Sequence, residues 1–329
     1  MIAESRADGS EPPGFRLEWE RCWRQMPDKL LFLALLAAWL LFFHFWGNST
    51  LGYAHTPSLF SWLENMYRGS VDDEHGRLIP FVVLVLFWWR REELLAAPKR
   101  RWWPAAGLLL FALALQILSF MVQQTQISAV AFFVGLYALM GLVWGPRWLR
   151  ASFFPFFLFV FCVPTANLAD RISFPLRLLA THITSLVCHV GLGINVLQEG
   201  TRMFDPHGAY QYEVAAACSG IRSMVATFAL ATIYAFVKLR SPWRRLLVVF
   251  SAFPLAVASN VLRLISIIVS AEAFGPSAGN YVHKNNGLSL LPYAVAMGGI
   301  LLVGYWLRED RTPRPAIEQP ILAGAQPKL

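Results

Sequence analysis

Three side chains in this 329-residue chain are of the types that acyl transfer needs: the thiol of Cys218, the guanidinium of Arg263 and the imidazole of His283. A thiolate attacks a carbonyl carbon and forms a covalent thioacyl intermediate. A guanidinium brings permanent charge and five donors to a carbonyl oxygen or a carboxylate. An imidazole titrates near neutrality, as a general acid or base must. Cys218 stands in Ala-Ala-Ala-Cys-Ser-Gly-Ile-Arg-Ser (215–223), where a loop gives way to an apolar run. A helix starting there directs partial positive charge and unpaired N–H groups at the thiol, which stabilises a thiolate and can hold an oxyanion. Arg222, four residues on, shares the face of Cys218 and adds positive potential. Ser219 and Gly220 let a substrate backbone approach closely. A lone cysteine in an apolar helix is more often a small packing residue, and Arg222 is what weighs against that reading here.

Arg263 is the second anomaly. It interrupts the greasy run Ser-Asn-Val-Leu-Arg-Leu-Ile-Ser (259–266), with Asn260 one helical turn before it. Placing Arg inside a membrane span costs at least ~2.5 kcal/mol, so such a residue is a functional candidate by default. Snorkelling to the headgroups is the bland alternative, but Arg263 lies toward the middle of a long run. His283 follows that run in a Gly- and Asn-rich segment, and its weight comes from sharing a side with Cys218.

The elements that must position these groups are membrane helices. The chain is 56% hydrophobic and only 15% charged, and the apolar residues come in blocks. Spans are predicted at 30–47, 104–122, 127–145, 219–237, 246–270 and 288–307, with two shorter ones at 78–89 and 151–164. Backbone hydrogen bonds in lipid must be internal, so these are helices. The expected fold is an all-α polytopic bundle of about eight spans. Residues 1–28 form a cytoplasmic segment, 29–307 the membrane domain and 308–329 a disordered tail. No cleavable signal is evident ahead of the first span.

Charge sets the expected orientation. With the N-terminus cytoplasmic, the inside segments carry 20 of the 28 Lys and Arg, the outside segments 6, and Arg222 and Arg263 lie within spans. That is the positive-inside pattern, and it leaves both termini in the cytoplasm. The net charge of +8 then reports topology. No basic run interleaved with aromatics points to nucleic acid. Segments 48–77, 165–217 and 271–287 fall outside. Cys162, Cys188 and Cys218 lie toward that oxidising side, an odd number, so at least one thiol stays free. A Cys188–Cys218 disulfide is an open alternative that would mask the nucleophile.

Within the outer segments, Asp170, Ser173, Arg177, Thr181, Thr184 and Cys188 make a polar stripe opposite Ile172, Leu176, Leu179, Ile183, Leu186 and Val190. This spacing predicts an amphipathic helix at the outer interface, starting at Ser173 with Pro175 behind it. Short strands are expected near 196–197, 203–204 and 210–214, forming a small hairpin with a turn at Asp205-Pro-His-Gly208. Only about 14 residues separate His75 from Arg90, roughly 21 Å of helix against a hydrocarbon core of about 30 Å. The outer end of this helix, with Asp72, Asp73, Glu74 and His75, is therefore expected below the surface beside a polar cavity.

Taken together, these residues resemble the exosortase/archaeosortase membrane transpeptidases. The resemblance runs from about His75 to Leu307. It rests on His-Gly-Arg-Leu-Ile-Pro (75–80), the Trp-Trp-Arg-Arg close at 88–91, Phe-Cys-Val-Pro at 161–164, Gly193-Ile-Asn-Val, Ala217-Cys-Ser-Gly-Ile-Arg222, Asn260-Val-Leu-Arg263 and His283. It implies Cys218 as nucleophile, Arg263 and His283 as its catalytic partners, and Arg222, Asn260, Ser219, Gly220 and His75 as supporting or substrate-binding residues. It further implies a multi-pass protein of the cell inner membrane with its site on the periplasmic side and an exopolysaccharide-associated role in protein sorting. The partners would be membrane lipid and proteins ending in a short motif such as Pro-Glu-Pro, a transmembrane helix and a basic tail. No cofactor and no metal is expected. The residues alone leave two rivals: a metal-dependent polyprenyl-lipid glycosyltransferase using Asp72-Asp73-Glu74, and a non-catalytic transporter or scaffold with Arg263 as an anion site. Neither explains why Cys218, Arg222, Arg263 and His283 converge.

Overall fold

Helices dominate the computed structural model of the chain, which describes residues 14–50, 56–70, 73–164, 166–206, 208, 210–213, 221–285 and 291–308. In order they are α1 (Phe15–Gln25), α2 (Lys29–Trp46), α3 (Leu59–Gly69), α4 (Ile79–Trp89), α5 (Arg91–Ala96), α6 (Ala105–Val122), α7 (Thr125–Trp144), α8 (Pro146–Phe157) and α9 (Ala166–Leu186). Strands β1 (Leu197–Glu199), β2 (Arg202–Phe204) and β3 (Gln211–Glu213) follow, then α10 (Ile221–Lys238), α11 (Pro242–Phe274), α12 (Pro276–Lys284) and α13 (Leu291–Trp306). Among the described residues α2, α6, α7 and α11 are long and apolar enough to cross a membrane, while the apolar stretches of α4, α10 and α13 are shorter. The predicted run at 151–164 is not one continuous α-helix: α8 gives way to a 3-10 stretch over Leu158–Cys162. Large apolar side chains such as Phe81, Leu84, Leu110, Phe111, Phe153 and Phe250 are exposed, as befits a bundle whose solvent is lipid.

The first half is built on α2, α6 and α7. Trp39 and Phe43 of α2 bury against Phe132 of α7, and the Trp39 indole N–H donates to the Phe132 carbonyl at 3.0 Å. Polar side chains lock the same helices at one end. Thr125 Oγ1 donates to Asn48 Oδ1 (2.8 Å), Ser119 Oγ to Ser49 Oγ (2.8 Å), and Gln116 Nε2 to the Trp46 carbonyl (2.7 Å). With every member paired, this buried network adds specificity without an orphaned group.

α10, α11 and α13 form the second half. Ala231, Ala235 and Leu239 interlock with Val248, Ala252 and Ile300. Arg245 Nε closes the turn between α10 and α11 by donating to the Leu239 carbonyl (2.9 Å). Arg244 Nη1 reaches the carbonyls of Leu307 and Arg308 at the far end of α13 (3.2 Å each). This is the basic end of the bundle. The halves meet where Phe154 of α8 stacks on Phe236 of α10, ring centroids 4.6 Å apart and planes within 5°.

Three local expectations change. The short strands expected near 196–197, 203–204 and 210–214 pair as a three-stranded antiparallel meander in order β1-β2-β3, one strand more than a hairpin. Leu197 pairs with Phe204, and Met203 with Tyr212. The anticipated turn is present: the Gly208 N–H donates to the Asp205 carbonyl at 2.9 Å. Helix α9 starts at Ala166 rather than Ser173, with Pro175 inside it; a proline is tolerated within a helix that membrane neighbours support. The third change concerns burial. Thr181, Thr184 and Cys188 of the polar stripe are wholly buried, while Leu179, Leu186 and Val190 are exposed. Periodicity marked both faces, but an apolar solvent inverts which one turns inward.

Candidate active site

α11 is the spine on which the site is mounted. It has 33 residues, so it is roughly 50 Å long, well beyond the thickness of a hydrocarbon core. At its upper end Ile267, Ile268 and Ala271 bury against Cys188, Val196, Met203, Tyr210 and Tyr212. The meander therefore caps α11 at the end opposite the basic turn. Gly275 (φ +88°) then reverses the chain, and α12 folds back along α11. Gly279 of α12 faces Ala271, and a Cβ built on it would run into both Ala271 and the Tyr212 hydroxyl. Glycine is required there by the close approach of strand and helix.

Counting along the helices gives the relative heights. Ile221, the first residue of α10, is 18 residues above Leu239; Arg263 is 18 residues above Arg245, the partner of Leu239 in the turn. Both lie roughly 27 Å above that turn at the rise of an α-helix. With Gly279 opposite Ala271, His283 falls near the height of Ile267, about one turn above Arg263. The start of α10, Arg263 and His283 thus occupy one layer beneath the meander. The sequence reading set Arg263 toward the middle of its run; the length of α11 instead raises it toward the sheet end.

Arg263 is half-buried and, among the described residues, has no hydrogen bond or ion pair. Asn260, one turn below it, is 6% exposed. Helix α9 runs beside this stretch, with Ala180 buried against Val261 and Leu264. The His283 ring is half-buried, its centroid 6.3 Å from that of Tyr212. Tyr212 stacks on Tyr210 at 5.4 Å, and the Tyr210 hydroxyl donates to Glu272 Oε2 at 3.4 Å. Burial, with the nearby Glu272 carboxylate, holds the Tyr210 phenol well above its usual range, and burial raises Tyr212 as well.

Cys218, Ser219 and Gly220 lie outside the described residues, as do the side chain of Arg222 in the first turn of α10 and residue Asp72. Cys188, the other half of the disulfide alternative, is a free thiol buried under the meander. His75 belongs to a second group, a 3-10 turn over Glu74–Arg77. Tyr67 donates from its hydroxyl to the Cys162 carbonyl, and Cys162 Sγ lies 3.6 Å from the Gly76 carbonyl. Of the acidic stretch, Asp73 is buried at 3% exposed while Glu74 is exposed, so only one of its described carboxylates meets protein. The residue that sequence reading left unassigned is Tyr212. Its signal was the alternation in β3, which puts Tyr210 and Tyr212 on one face.

These features define a helical membrane protein with a cationic, imidazole-bearing layer at the capped end of its bundle. Residues 62–302 match the family model for transmembrane exosortase (Exosortase_EpsH), and the chain belongs to that family, one of cysteine-type membrane transpeptidases. No curated protein and no solved structure matches it.

Proposed function

We propose that this protein is a membrane-embedded cysteine protease or transpeptidase that cleaves C-terminal sorting signals of exported proteins. The observation that carries the reading is Arg263: a half-buried guanidinium, unpaired among the described residues, level with the start of α10 and one turn below His283. An arginine held inside an apolar helix without a carboxylate has its donors available to a ligand.

In this reading the sheet end faces the periplasm of the inner membrane and both termini are cytoplasmic. Only Ser219 and Gly220 lie between Cys218 and Ile221 in the chain, and on this reading the thiolate acts in the layer that holds Arg263. Cys218 Sγ attacks the scissile carbonyl carbon, and the new oxyanion is held by Arg263 and the N–H groups of the helix start. Collapse breaks the C–N bond, and His283 gives the leaving amine its proton. His283 then takes a proton from an incoming amine or water, which attacks the thioester and releases Cys218. Arg222 raises the local positive potential, Asn260 steadies the turn below Arg263, and Ser219 and Gly220 leave room for the substrate backbone. His75 supports the site through the outer end of α4. Substrates are proteins carrying a short motif of the Pro-Glu-Pro kind, a transmembrane helix and a basic tail.

Co-expression with such a protein, followed by mass spectrometry of its new C-terminus, tests this directly. A truncated product at the motif is expected with wild type and none with Cys218→Ala. Equal processing by both would remove the cysteine mechanism.

A further inference from the structure

Tyr212 carries an unexplained polar atom. The side chain is 8% exposed, its hydroxyl is shut off from solvent, and no hydrogen-bond partner for it exists among the described residues. The oxygen lies at the close approach of Gly279 to Ala271. A buried hydroxyl left without a partner opposes folding, and phenylalanine would fill the same space without that cost. Such an orphan in a native fold calls for a role outside the resting state.

Its placement indicates the role. Gly279 and His283 are four residues apart on α12, so they share a face, and the Tyr212 ring lies along that face beside the imidazole. We propose that Tyr212 is the positioning residue of His283. When substrate draws the imidazole toward the scissile bond, the phenol oxygen becomes a hydrogen-bond partner of one ring nitrogen, fixing the tautomer and leaving the other nitrogen for proton transfer. β3 is the strand that precedes Cys218 in the sequence, so Tyr212 ties that strand to the helix carrying the acid–base group.

This rests on the proposed function, and the test separates the two. Turnover of a passenger ending in Pro-Glu-Pro, an apolar helix and a basic tail is measured with full-length protein in membranes, alongside thermal unfolding. Tyr212→Phe is expected to lower kcat by roughly tenfold or more, part of the usual general acid–base contribution, with KM unchanged and the unfolding midpoint equal to or above wild type. Unchanged kcat, a change in KM alone, or parallel loss of kcat and stability overturns the assignment. Cys218→Ala runs in the same series. An inactive Cys218→Ala beside a fully active Tyr212→Phe sinks only the Tyr212 role, whereas an active Cys218→Ala sinks the cysteine mechanism beneath it.

Discussion

Arg263 and Lys at the same position make different physical statements. Gripping an oxyanion through a planar fork of donors depends on geometry, so Arg263→Lys is expected to fail nearly as badly as Arg263→Ala, each slowing turnover by about 10²–10³-fold. A side chain that only reached for headgroups would accept lysine with little loss. Turnover of a sorting-signal passenger in membranes distinguishes the two, and full activity of Arg263→Lys would take this residue out of the site. Cys218→Ser is expected to abolish processing while leaving protein level and insertion unchanged, read by immunoblot of washed membranes. The residue types were legible in the sequence because each breaks a local rule: a charge in an apolar run, a thiol beside an arginine. Tyr212 was not, since a tyrosine in a strand breaks none, and its hydroxyl becomes anomalous only when its surroundings are known.

At the level of elements, the reversal at Gly275 sets how α12 returns toward Arg263. Its φ of +88° is a conformation that L-residues with a Cβ adopt only at a cost, and nothing lies within 4 Å of where that Cβ would sit. Strain alone therefore decides the outcome of substitution. With ψ at 167° this is backbone that essentially only glycine adopts, and Gly275→Ala is expected to destabilise by about 1–3 kcal/mol, seen as a lower unfolding midpoint. Helix positions followed from hydropathy: α2, α6, α7 and α10 begin and end within a few residues of the predicted runs. The start of α9 did not, because Pro175 reads equally as a first-turn residue or as an interior one. Its buried Thr181, Thr184 and Cys188 show the second ambiguity, since lipid rewards an apolar surface that water would penalise. The three strands were legible from their alternation and the turn residues between them, whereas their pairing into one meander needs contacts that sequence does not show.

For the molecule as a whole, the proposal requires the sheet end and the basic end to lie on opposite sides of the membrane. With single cysteines in an otherwise cysteine-free chain, position 208 should react with an impermeant reagent added from outside, and position 240 should not. The reverse pattern would overturn the orientation inferred from the 20-to-6 division of basic residues. Among the described residues the four helices long enough to span are spread across both halves of the chain, while α4 and α8 fall short.

The length of α11 has one further consequence. A continuous helical rod with Pro254 inside it, anchored by Arg244 and Arg245 at one face, holds Arg263 at a set altitude, roughly 27 Å up by helix rise, near the far boundary of a hydrocarbon layer of about 30 Å. On the proposed reading the enzyme is a depth gauge: it selects the bond to be cut by elevation as well as by motif. A passenger whose anchor is lengthened by four residues would lift its motif by about 6 Å, and it should be processed poorly in a thin bilayer and recover in a thicker one. A cleavage rate indifferent to both anchor length and bilayer thickness would show that the rod sets no such altitude.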